Sequence, residues 1–68
     1  MKYSYRLWSV EPCELLNEDS EYDTKIEALN AGYEASGNVH LVRLLEFGAC
    51  VEVLDARDNV VIEKYFQA

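Results

Sequence analysis

The sequence predicts an α+β domain of order β-α-β-β-β, with one helix packed on a four-stranded, largely antiparallel sheet. Three observations carry this. The run from Val39 to Phe66 is dense in Val, Leu, Ile and aromatics and breaks at Phe47-Gly48 and Asp55-Ala56-Arg57-Asp58-Asn59, the pattern of three strands joined by tight turns. Lys2 to Val10 alternates with period two, and Thr24 to Ser36 repeats its apolar residues at helical spacing. The 68 residues suffice for one domain and no second.

The first strand covers 2–10, with Tyr3, Tyr5 and Leu7 on one side and Lys2, Ser4, Arg6 and Trp8 on the other. It ends at Glu11-Pro12, because proline lacks the amide a central strand needs. Residues 11–23 follow as an acidic loop carrying Glu11, Glu14, Glu18, Asp19, Glu21 and Asp23 without a Lys or Arg. Its apolar residues Cys13, Leu15, Leu16 and Tyr22 are expected to pin it to the core.

Thr24 opens a helix over 24–36, and Thr24-Lys25-Ile26-Glu27 fits a capping box. Ile26, Leu29 and Tyr33 form its large apolar stripe. Ala28, Ala31 and Ala35 lie roughly opposite, where alanine is explained as a good helix former facing solvent. A smooth strip of that kind also lets another backbone approach closely. Gly37 suits a left-handed cap after Ser36.

Strands are then expected over 39–46, 49–55 and 59–66, with Gly48 at the first reversal. The second reversal, 55–59, has the form of a type I turn followed by a left-handed Asp58 or Asn59. The first strand either pairs with the last or lies centrally. One helix covers one sheet face, so Trp8, Val42, Leu44, Cys50 and Leu54 leave the second face substantially apolar. Either the acidic loop folds over it or another chain does, and the expectation is association, most simply as a homodimer through this face.

A composition that is 50% hydrophobic is too apolar for a disordered tail. A chain this short hides only about 60% of the surface its unfolded form exposes, so further burial in an assembly would help it. Net charge is −7, from 13 acidic and 6 basic residues, which disfavours direct binding to nucleic acid or anionic lipid and favours a basic protein. The two cysteines, Cys13 and Cys50, show no metal or redox spacing and are expected as free thiols, Cys50 as a small core residue. Met1-Lys2 leads into the first strand without an apolar signal core, which points to a cytoplasmic address.

No catalytic pattern stands out, and a non-enzyme is expected. His40 is the lone histidine, the glycines sit singly, and no sequence pattern sets two carboxylates apart in an apolar cleft. No metal and no cofactor is implied. Basic and aromatic residues interleave only from Lys2 to Trp8, an arrangement that could stack unpaired bases but is outweighed by the acidic excess.

The leading expectation is a non-catalytic acidic module that engages a basic surface. In size, acidity and lack of chemistry the whole chain resembles small inhibitors carried by phages and mobile elements, such as anti-CRISPR proteins that block a nucleic-acid channel. That resemblance implies a contact set of Glu11, Glu14, Glu18, Asp19, Glu21, Asp23 and Glu27, whose carboxylates would stand in for phosphates. Trp8, a large aromatic on the basic side of its strand, joins them as a candidate binding hot spot. The alternative is a homodimeric structural domain with no charge-dependent partner.

Overall fold

A computed structural model of the chain describes residues 2–10, 13–38 and 48–66. The elements are β1 (Tyr3–Ser9), β2 (Glu14–Tyr22), α1 (Lys25–Asn38), β3 (Ala49–Leu54) and β4 (Val60–Phe66). The strands form one antiparallel sheet in the order β2-β1-β3-β4, so β1 lies centrally. The expected architecture, one helix on a four-stranded antiparallel sheet, is the observed one.

One of the four strands comes from an unexpected place. Within the segment expected as an acidic loop over 11–23, Glu14–Tyr22 is strand β2, paired along β1 from Tyr3↔Tyr22 to Ser9↔Glu14. Its sequence ELLNEDSEY lacks period-two alternation because the strand lies at the sheet edge, exposed except at Leu16 and Tyr22. Edge strands also tolerate charge that a central strand would not, since charge there discourages pairing with another chain. Two register shifts, between Tyr3 and Tyr5 and between Leu7 and Trp8, break the pattern further. The strand expected over 39–46, with His40, Val42 and Leu44, lies outside the described residues.

The alternation read in β1 holds. Tyr5 and Leu7 are buried under the helix with Ala49, Val51 and Val53 from β3 and Ala28 and Leu29 from α1. Tyr3, Leu16, Tyr22 and Ile62 close the margins. Leu7, Val51 and Val53 are fully buried, and each contributes on the order of 1.5–3 kcal/mol by leaving water.

Of the large stripe expected to face the core, only Leu29 is buried, and the helix presents its small residues to the sheet instead. Ala28 is fully buried and Ala31 and Ala35 pack on the core, while Ile26 is 59% and Tyr33 38% exposed. The sheet explains the inversion: Tyr5, Leu7, Val51 and Val53 already supply bulk, so the helix that fits is one with a shallow surface. Gly32 makes the approach closer still, since a Cβ there would lie 2.6 Å from Val51 Cγ1. The alanine strip is thus the packing face, and the backbone it admits is that of its own sheet.

The helix begins as expected, with Thr24 Oγ1 accepting from the Glu27 amide at 3.1 Å. Such a cap is worth about 1 kcal/mol. At the other end α1 runs through Ser36-Gly37 to Asn38, so Gly37 is helical and not the left-handed cap. A glycine there costs about 1 kcal/mol against alanine, which a last turn tolerates.

The β3–β4 turn is as read. Asp58 takes the left-handed position with φ 62°, its amide donating to the Asp55 carbonyl at 3.0 Å. Asp55 Oδ1 accepts from the amides of Arg57 (2.8 Å) and Asn59 (3.0 Å). Those amides, Asn59 first, hold the Asp55 carboxyl below its ordinary range. Gly48, with φ 84°, is the one glycine in the left-handed region among the described residues.

Candidate functional site

Two surfaces carry the predicted residues. The first is the edge strand β2, which places Glu14, Glu18, Asp19 and Glu21 on one bulged element roughly 25 Å long. Asp23 follows it, and Glu27 sits in the first turn of α1, where a carboxylate also favours the positive helix end. Glu11 lies outside the described residues.

These carboxylates are not equivalent. Asp23 forms an exposed ion pair with Lys2, which lowers the Asp23 pKa and raises that of Lys2. This is the one ion pair among the described residues. Asp19 accepts from the Ser20 amide at 2.8 Å and from the Tyr22 hydroxyl at 3.2 Å. Burial raises the Tyr22 phenol, and its bond to Asp19 raises it further. Nearby, the Tyr5 hydroxyl donates to Asn17 Oδ1 at 2.6 Å, and burial, followed by the charge of Asp19, pushes that phenol up. Asp19 and Asp23 therefore help build the edge, whereas Glu14, Glu18 and Glu21 point their charge outward from it.

Glu21 has φ 76°, a left-handed conformation that glutamate seldom adopts. It falls where the β1–β2 register slips between Tyr3 and Tyr5, so the extra residue is accommodated as a bulge that turns the strand end.

The second surface is the sheet face opposite α1. Strand register lays it out in rows. One row runs Leu15, Trp8, Cys50, Tyr65 across β2, β1, β3 and β4. The adjacent row runs Glu18, Arg6, Glu52, Glu63. The face expected to be substantially apolar is therefore crossed by a charged row. Cys50 and Leu54 on it are buried, while Tyr65 is 65% exposed.

Trp8 is half-buried, and its indole Nε1 donates to Glu52 Oε1 at 2.6 Å. Beside it opens a cleft of about 380 Å³ lined by Trp8, Cys13, Cys50, Glu52, Glu63 and Tyr65, with Ser9 and Val10 at its end. Burial raises the Cys50 thiol, helped by the carboxylates of Glu63 and Glu52, so the sulfur stays protonated. The Tyr65 phenol is raised chiefly by hydrogen bonding with Glu63. A protonated thiol among carboxylates is a poor nucleophile.

Glu52, Glu63 and Tyr65 lie outside the contact set expected from sequence. A signal for them existed. The Asp55–Asn59 turn fixes a hairpin register that sets Glu52 against Glu63, and like charges facing across strands are destabilising unless something occupies them.

Compared with family models, curated proteins and solved structures, the chain matches none of them. Among the described residues no cluster of three metal-ligating side chains occurs, and no helix is long and apolar enough to cross a membrane.

Proposed function

We propose that the protein is a non-catalytic binding module whose acidic edge engages a basic surface on another protein. A partner whose basic face itself binds nucleic acid fits best, as for phage or mobile-element inhibitors of the anti-CRISPR kind. The observation that carries this reading is the placement of Glu14, Glu18, Asp19 and Glu21 on one edge strand. Carboxylates on a paired strand are pre-ordered, so a partner does not bear the entropy of ordering a loop. Their summed field also speeds encounter with a basic surface. The free thiols of Cys13 and Cys50 suit a reducing cytoplasm as the setting.

The test is charge reversal. The triple variant Glu14→Lys, Glu18→Lys, Glu21→Lys changes exposed side chains only. The native chain should bind an oligolysine peptide with an affinity that falls as salt rises, and the variant should lose that binding while keeping its circular dichroism spectrum. Equal binding by the folded variant would sink the reading.

The second reading, a homodimer through the face opposite α1, is favoured by exposed Val60, Val61 and Tyr65 on that side. Apolar dimer contacts hold or strengthen with salt, so sedimentation at low and high ionic strength separates the two readings.

A further inference from the structure

The cleft on the open face is not used by the acidic edge. Its floor is Cys50, and its flanks are Trp8 and Tyr65, which stand in the same row on the two strands beside β3. Neighbouring strands lie about 4.8 Å apart, so the two aromatic side chains spring from backbones roughly 10 Å apart, leaving room for one group between them. In the adjacent row Glu52 and Glu63 face each other directly. Arg6 lies opposite Glu52 from the other side, so the stretch of this row on β1, β3 and β4 holds two carboxylates against one guanidinium.

The cleft is also partly fixed in shape. The Trp8 indole is held by its bond to Glu52 Oε1, at 2.6 Å, before any ligand arrives. A cation entering here would meet two aromatic side chains and two like charges placed directly opposite, Glu52 bonded to Trp8 and Glu63 to Tyr65. An apolar side chain would fill the same space but bring no charge to meet them.

We infer that this cleft takes the guanidinium of an arginine on a basic partner, stacked between Trp8 and Tyr65 and held at its end by Glu52 and Glu63. Arginine fits better than lysine because its charge is planar, lies flat on aromatic rings and donates as a fork to carboxylates. The inference shares with the proposed function only a basic partner. It uses β1, β3 and β4, not the carboxylates of the β2 edge.

Trp8 is the single tryptophan, so its fluorescence reports on the cleft. The native protein is titrated with Nα-acetylarginine methylamide and with the citrulline and lysine counterparts. Citrulline keeps the shape and removes the charge. A saturable change with the arginine derivative is expected, with citrulline weaker by about fivefold or more and lysine in between. Tyr65→Leu and Glu63→Gln alter exposed positions that the core does not use, and each should weaken the arginine response by about fivefold.

The inference is overturned by the absence of a saturable response below about 50 mM arginine derivative. It is also overturned by citrulline or lysine binding as well as arginine, or by full binding in both folded variants. Glu63 lies on β4, at the far side of the sheet from β2. Arginine binding lost in Glu63→Gln with oligolysine binding kept, or the reverse in the β2 triple variant, tells the two sites apart.

Discussion

The two faces of the sheet are built from the same strands by opposite rules. Under the helix, large strand residues meet small helical ones: Tyr5, Leu7, Val51 and Val53 against Ala28, Ala31, Gly32 and Ala35. On the other side the rows alternate between aromatic and ionised, Trp8–Cys50–Tyr65 beside Arg6–Glu52–Glu63. Strand alternation sends one residue to each face in turn, so a single stretch such as Tyr5-Arg6-Leu7-Trp8 contributes to both. The buried core lies on the first face, and the second is the one crossed by a charged row and the cleft.

The sharpest way to break that division is a matched pair of truncations. Leu7→Ala removes a side chain with no exposed surface and should cost about 2–5 kcal/mol, a large part of what a domain of this size possesses. Tyr65→Ser, on the open face at 65% exposure, should stay within about 0.5 kcal/mol. Urea denaturation of both variants checks this, and comparable losses would mean that the open face is a second core.

A smaller effect tests the close helix approach. Gly32→Ala places a methyl group 2.6 Å from Val51 Cγ1, on a residue with no room to retreat. Overpacking should cost about 1–3 kcal/mol, partly offset by about 1 kcal/mol of improved helix propensity. The net loss should lower the melting temperature by several degrees. Val51→Ala in the same chain should remove the clash, so the double variant should be more stable than additivity predicts. Strict additivity would place the helix farther from the sheet than described.

The mildest prediction concerns the β3–β4 turn. The Asp55 carboxyl has a depressed pKa because it accepts from the Asn59 and Arg57 amides. A group depressed on folding adds stability above its unfolded pKa and loses it as pH falls through the folded one. Native protein should therefore exceed Asp55→Ala in stability at neutral pH, and the gap should narrow below about pH 4. A gap that stays constant into acid would show that the amide bonds do not depend on the charge.

Much of this was legible where local chemistry and global packing agree. Period-two alternation in Tyr3 to Trp8, the Thr24 cap and the left-handed Asp58 all follow from short-range rules that the tertiary structure leaves intact. Strand β2 was not legible, because this edge strand marks its inner face only at Leu16 and Tyr22, and its two bulges erase what rhythm remains. The helix face is legible only at Leu29, for a different reason. Residue size identifies the buried stripe only when the opposing surface is shallow, and here Tyr5 and Val51 made it deep. The cleft escaped notice because its residues come from three strands and meet only once register is known.

The sheet order has a consequence for how the chain assembles. It consists of two hairpins, β1–β2 and β3–β4, joined along a seam where Ser4 lies opposite Leu54 and Ser9 opposite Ala49. Each hairpin can zip locally, but the seam unites the two ends of the polypeptide and closes the longest loop. During synthesis Leu7 has no β3 neighbour until Val51 has left the ribosome, so the β1–β2 hairpin emerges well before the strand that completes its layer.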